Sequence, residues 1–400
     1  MKHILYPKKS HLHFDNNHAS KCRISKNGEV LMNNQQFQTY PVFQIKLLSK
    51  LLSILILGAL VGCSSFTQAT VASSPAAIQD VVVHGSYSPL VWTSPQWTVE
   101  QGISPIQNTT QIGMGFVRPE DRYTIPSELP QNEELSINSG EPLSLDLVVI
   151  AGQKTTFIVT AILDYQQISF TLDGQYGLLH EIQVKEGGFL YIPMQIDVQG
   201  PGAHDLLLVG FNDPYNRPWN HDARDLPFGC LQTGRRAVVL VDNNEQPVQD
   251  IIPDVFGVSP PPGVDFGLRV AFADLPTSFL DRSHPSQNQL KMTKSGRPGE
   301  EFEYQLWISN YNEPDDVVVD YGIMKFVDFH QIDIQGKDLL VSHFDGRQEA
   351  VVKDSITLPS QPGVHEVQMV YVFDPYKSVL KKEVVASRVF SSSCLGVDVR

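Results

Sequence analysis

PGAHDLLLVGFNDPYN, starting at Pro201, and PGVHEVQMVYVFDPYK, starting at Pro362, agree at seven of sixteen positions without a gap. Pro-Gly, His, Val and Asp-Pro-Tyr coincide. A strand that returns together with both of its turns marks an internal duplication. A second pair of blocks also aligns. LDLVVIAGQKTTFIVTAILDY starts at Leu145 and LKMTKSGRPGEEFEYQLWISNY at Leu290, and Phe157 and Phe302 each lie 12 residues in. On that alignment the second copy is the longer, with 60 residues rather than 44 from the phenylalanine to the next Pro-Gly, as loop growth in one copy would give. Cys230 and Cys394 also fall in similar places, each past Asp-Pro-Tyr and before a short apolar strand.

Both copies read as β. Leu143, Leu145, Leu147 and Val149 alternate along one strand, and Phe157, Val159, Ala161 and Leu163 along the next. Ile168, Phe170 and Leu172 alternate again, and Asp173-Gly174 supplies a hairpin turn. No long stretch carries a 3.6-residue period, and short strands at regular turn signals argue for an all-β sandwich. The cadence of RPGEEFEYQLWISNY and QPGVHEVQMVYVF resembles the immunoglobulin-like and fibronectin-III-like modules of bacterial surface proteins, although the Cys–Trp–Cys spacing of antibody domains is absent. The resemblance implies two tandem sandwiches, over 142–242 and 268–400. A Pro-rich linker, 243–267, holds VSPPPG between them. Residues 63–141 read as a tether followed by a Pro-rich stretch, either an N-terminal strand region or an arm laid over the first sandwich. His204 and His365 recur at the head of equivalent strands. They are read as structural residues inherited with the duplication rather than as ligands or pH sensors.

Ahead of the β region lies LLSILILGALVGCSS, from Leu51 to Ser65. Its uncharged core is too short to span a bilayer comfortably and follows Lys46 and Lys50, as in a secretory signal. Leu60-Val61-Gly62-Cys63 resembles the lipobox of bacterial lipoproteins. That resemblance implies cleavage between Gly62 and Cys63 and a diacylglycerol on the Cys63 sulfur. Residues 1–62 are then leader and signal, and Met32 offers a shorter start. An uncleaved helical anchor is the alternative. The expected location is a cell or outer membrane, facing periplasm or exterior.

Removing the 8 basic and 2 acidic residues before Cys63 leaves 22 and 42, a net charge of −20. Such a surface repels nucleic acid. Cys230 and Cys394 are the two cysteines after Cys63, and an oxidising compartment would permit a disulfide between them. Catalytic motifs fail: His180-Glu181 and His365-Glu366 lack the second histidine of a zinc protease, with Val184 and Met369 in its place. There is no Gly-x-Ser-x-Gly elbow and no phosphate-binding Gly loop. The chain is therefore read as non-enzymatic, with no metal and no cofactor beyond the lipid, in a binding, adhesion or spacer role. A hydrolase with a discontinuous site is one alternative. The other is a carbohydrate-binding or accessory module using the loop of Trp219, Asn220, His221, Asp222 and Asp225, whose aromatic, amide and carboxylate groups suit a glycan or a calcium ion. A surface protein or glycan is the expected partner besides the membrane.

Overall fold

The computed structural model describes residues 75–88, 112–122, 134–185, 188–215, 232–259, 270–273, 293–310, 317–376, 389–392 and 394–400. Gly62, Cys63, Trp219, Asn220, His221, Asp222, Asp225 and Cys230 lie outside them. The first copy contains β1 (Val81–Tyr87), β2 (Ile112–Val117), β3 (Glu134–Ile137), β4 (Leu143–Ala151), β5 (Thr155–Leu163), β6 (Gln166–Ile168), β7 (Phe170–Leu172), β8 (Gln175–Gly177), β9 (Leu179–Val184), β10 (Gly188–Ile196), β11 (Gly202–Asn212) and β12 (Gln232–Val241). The second contains β13 (Val255–Phe256), β14 (Val270–Ala273), β15 (Thr293–Gly296), β16 (Glu301–Ser309), β17 (Val318–Val327), β18 (His330–Ile332), β19 (Leu340–Asp345), β20 (Glu349–Thr357), β21 (Gly363–Phe373), β22 (Phe390–Ser391) and β23 (Leu395–Val399).

Each copy is a two-sheet sandwich. In the first, one sheet runs β1-β9-β5-β11-β12-β3 and the other β2-β4-β10-β7-β8. In the second, the sheets run β13-β19-β17-β21-β23-β15 and β14-β16-β20. The two orders correspond strand for strand, and the β7–β8 hairpin is reduced in the second copy to a single bridge between Ile334 and Lys337. The alternation read from the sequence forms the cores. Leu143, Leu145, Leu147 and Val149 meet Phe157, Val159 and Ala161 in the first. Phe302, Tyr304, Leu306 and Ile308 meet Tyr321 and Ile323 in the second. Asp173 and Gly174 both take positive φ, 48° and 75°, as the tight turn between β7 and β8 requires.

Three sequence-based expectations change. The tether does not stay clear of the fold, because β1 pairs with β9, while β2 with β4 and β3 with β12 make the Pro-rich stretch a strand region rather than an overlying arm. Part of the linker also joins a sheet, because Val255 and Phe256 pair with Ser342 and His343. The second aligned block is displaced by one strand. Phe157 lies on β5, beside β11, whereas Phe302 lies on β16, the counterpart of β4. The true counterpart of Phe302 is Leu143. Both lie at the head of the strand after a turn in which a backbone N–H bonds a glutamate, Asn138 N to Glu141 at 3.4 Å and Arg297 N to Glu300 at 2.8 Å. The partner of β5 is β17, and Asp164-Tyr165-Gln166-Gln167-Ile168 repeats as Asp328-Phe329-His330-Gln331-Ile332.

The outer faces of the two larger sheets pack on each other. Ile158, Ile162, Leu207, Val209 and Phe211 of the first sandwich are buried with Met324, Phe326, Val370 and Val372 of the second. Phe211 lies 5.8 Å from Phe326 and 4.9 Å from Phe329, centroid to centroid. Two pairs of polar contacts between the copies are reciprocal. Gln167 N donates to Gln331 Oε1 at 2.6 Å, and Gln331 N to Gln167 Oε1 at 2.8 Å. Gln167 Nε2 donates to the Phe329 carbonyl at 2.9 Å, and Gln331 Nε2 to the Tyr165 carbonyl at 2.7 Å. Exchange of identical bonds between equivalent residues is the mark of a two-fold interface. Here it lies within one chain.

The leading segments obey the same symmetry. Pro75 bridges to Val364, and Pro247 bridges to Ala203, the residue equivalent to Val364. Each segment then leaves that sandwich and ends as an edge strand of the other one, β1 or β13.

Candidate functional site

The junction holds the chain's most concentrated polar chemistry. Asp164 and Tyr165 turn the chain from β5 to β6 with positive φ, 51° and 68°, and Asp328 and Phe329 do so from β17 to β18 at 47° and 72°. Each turn aspartate receives a histidine. His204 donates from Nδ1 to Asp164 Oδ2 at 2.7 Å and from Nε2 to the Gly200 carbonyl at 3.0 Å. His365 bonds Asp328 Oδ2 at 2.5 Å and the Gln361 carbonyl at 2.7 Å. The backbone N–H of the next residue, Asp205 or Glu366, bonds the same aspartate at 3.0 Å. These histidines fasten a strand to a turn. Burial works against charge on His204, but the Asp164 hydrogen bond and charge prevail and raise its pKa.

Beside the first turn the symmetry breaks. Arg236 and Asp205 are fully buried and paired, with Nε 2.7 Å from Oδ1 and Nη2 2.5 Å from Oδ2. The Tyr165 hydroxyl donates to Asp205, and Arg236 Nη1 donates across the junction to the Phe373 carbonyl at 2.6 Å. Burial disfavours the guanidinium, and the Asp205 charge more than restores it. The hydroxyls of Tyr165 and Tyr376 are pushed up first by burial, then by the charges of Asp205 and Asp164 respectively. In the second copy the places of Tyr165, Asp205 and Arg236 fall to Phe329, Glu366 and Cys394. Cys394 is buried immediately before β23, so its position answers to Arg236 rather than to Cys230.

The repeated Asp-Pro-Tyr motifs also diverge. Tyr376 is buried in the junction and donates to Asp164 Oδ1 at 2.8 Å. Tyr215 is 43% exposed and its hydroxyl donates to Glu181. The loop bearing Trp219 follows Tyr215.

Two grooves flank the junction. One, of about 500 Å³, lies between the first turn, the segment before β13 and the second sandwich; Asp250, Asp254, Lys337 and Asp338 line it. The other, of about 360 Å³, lies between the second turn and the segment before β1; Asp80, Asp328, His330 and Gln361 line it. Asp254 pairs with Lys337 and accepts from Val341 N at 2.9 Å, and Asp338 accepts from Gln166 Nε2 at 2.8 Å. These grooves offer hydrogen bonds to a polar chain. Among the described residues, no three His, Cys, Asp or Glu side chains are grouped to hold a metal ion, and no helix is long and apolar enough to cross a membrane.

The sequence reading singled out neither the Arg236 network nor the glutamine exchange. The repeated Asp-aromatic-x-Gln-Ile was the available signal for the exchange, and the misplaced second block hid it.

No protein-family model matches the chain, and no curated protein does. Solved structures are similar over parts of it. The CARDB domain of a Pyrococcus furiosus protein, crystallised with di-metal ions, is 12% identical with a TM-score of 0.19, covering 28% of this chain and 81% of that one. CBD12 from CALX1.2 is 9% identical with a TM-score of 0.18, covering 67% and 97%. The E. coli chaperone DraB is 10% identical with a TM-score of 0.18, covering 73% and 97%. Likenesses this slight leave the fold resting on the strand pairing itself. The described part of the chain is two immunoglobulin-like β-sandwiches packed sheet against sheet.

Proposed function

We propose that the chain is a non-enzymatic lipoprotein of a bacterial envelope, held by diacylglycerol on Cys63 and presenting its two sandwiches as one binding or structural body. The path of the leading segment carries this reading. Ala76 N bonds the Val364 carbonyl of the second sandwich at 3.0 Å, and Val81–Tyr87 then joins the first. Cys63 lies twelve residues before Pro75. An anchor attached there is tied to both sandwiches at once. Two acyl chains hold a protein stably, at about 0.8 kcal/mol for each buried methylene. A surface protein or glycan that meets the polar junction grooves or the Trp219 loop is the expected ligand. The non-enzymatic reading is supported by His204 and His365, whose two ring nitrogens each fasten local structure.

Intact mass spectrometry of the protein from its native membrane tests the anchor. The expected species begins at Cys63, carries acyl mass and disappears in Cys63→Ala. A lipid-free species that retains the residues before Cys63 would replace the lipid with a helical anchor.

A further inference from the structure

β1 is fastened by more than its ladder. His180, on β9, lies at the sandwich edge with Nε2 3.2 Å from both the Phe170 and the Gly177 carbonyls, which belong to the opposite sheet. Carbonyls only accept, so His180 carries its proton on Nε2 and its Nδ1 is bare. His84 Nε2, 2.9 Å away, must therefore donate to that Nδ1. This leaves Nδ1 of His84 buried, unprotonated and without a hydrogen-bond partner among the described residues. The chain from His84 through His180 to the carbonyls stitches β1 to both sheets only while the two rings are neutral. His84 sits where the β1–β9 register slips, between Val83 and Ser86. A slipped register is a weak point of a ladder.

We propose that the His84–His180 pair is an acid-sensitive latch, and that its protonation undocks β1 while both sandwiches stay folded. A proton on His180 Nδ1 would confront the His84 N–H with a second donor. A proton on His84 Nδ1 would be a buried donor with no acceptor. Both charges together would stand with ring centroids 5.1 Å apart.

The groups facing the pair do little to offset this. Asp173, in the β7–β8 turn, draws His84 toward the charged form but already accepts the Tyr87 hydroxyl at 2.7 Å. Glu181 of β9 is engaged with Gln183 and Tyr215. β8 contributes Tyr176, 69% exposed. β5 and β7 contribute no titratable side chain. Burial, with His84 adding to it, lowers His180 to about 4, and burial lowers His84. The sign follows. Above the ordinary histidine value of 6.5 the pair costs nothing; between there and about 4 the undocked form binds more protons, so acid favours release.

The second repeat shows that a sandwich closes with much less of this strand, because its counterpart β13 is two residues long and the β7–β8 hairpin shrinks there to a single bridge between Ile334 and Lys337. The latch thus belongs to the first described strand after Cys63. Its use rests on the lipid-anchored reading. Docked, twelve residues join Cys63 to Pro75, a contour of roughly 40 Å; with the segment free through Tyr87, the contour roughly doubles.

Hydrogen exchange on the full-length Cys63→Ala chain reads the latch without the anchor, so failure of one is separable from failure of the other. Between about pH 7.5 and about pH 5, protection of β1 relative to β5 and β11 is expected to fall about tenfold or more, one decade for each pKa unit expressed. The double variant His84→Gln, His180→Gln should lose that fall. β1 protection that ignores pH, that falls in step with β5 and β11, or that still falls in the double variant would overturn the proposal.

Discussion

Arg236 shows how a duplicated fold acquires a joint. Its guanidinium and the Asp205 carboxylate are both removed from water, which costs several kcal/mol for each ion and is offset only by near-ideal geometry and further hydrogen bonds. Tyr165 and the Phe373 carbonyl supply those bonds. Asp205→Ala would strand a buried cation and is expected to destabilise the protein by about 3–5 kcal/mol in urea unfolding, whereas Arg236→Met with Asp205→Leu should cost far less. The sequence offered no sign of this pair, because an Arg and an Asp on different strands leave no local pattern. His204 behaves oppositely to His84 and His180. Its raised pKa makes its contribution fully present below the ordinary value of 6.5 and lost as pH rises through the raised one. His204→Asn should flatten that part of the stability–pH curve, read by thermal unfolding across a pH series.

The turns carry more information than the strands. Strand alternation was legible because its period of two is unmistakable, and Leu143 to Val149 and Phe157 to Ala161 face the first core as it required. That same period let the second block slide by one strand, since one alternating strand matches another almost as well as its true partner. The turn sequence distinguishes them. Asp-Tyr and Asp-Phe take positive φ at both positions, which only a few residue types tolerate, and each aspartate is fixed by a histidine and a backbone N–H. Asp328→Ala is expected to cost about 1–3 kcal/mol by stranding the Glu366 N–H and the His365 ring. Asp164→Ala should cost more, because Tyr376 also donates to Asp164. Chemical denaturation of the two variants side by side checks the order. At the leading segments, reading short polar and Pro-rich stretches as tether or linker missed their sheet pairing, because an edge strand needs only a few ladder bonds and shows little alternation.

At the scale of the molecule, the two copies are a two-fold pair joined in one chain. The apolar outer faces, the exchanged Gln167 and Gln331 bonds and the crossed leading segments all obey the same relation. A duplication was legible in the sequence; sheet-against-sheet packing was not, because outward apolar residues such as Ile158, Leu207 and Met324 read as ordinary two-sided strands. A body built this way moves as a unit, which suits a lipid-anchored binding or structural role better than two beads on a linker would. Removing a central ring should loosen it: Phe326→Ala empties a fully buried site and is expected to cost about 3–5 kcal/mol. Calorimetry of the chain beginning at Cys63 tests the single body most directly. One transition, with calorimetric and van't Hoff enthalpies equal, is expected, moving as a whole to lower temperature in Phe326→Ala. Two separate transitions in the unmodified chain would contradict it.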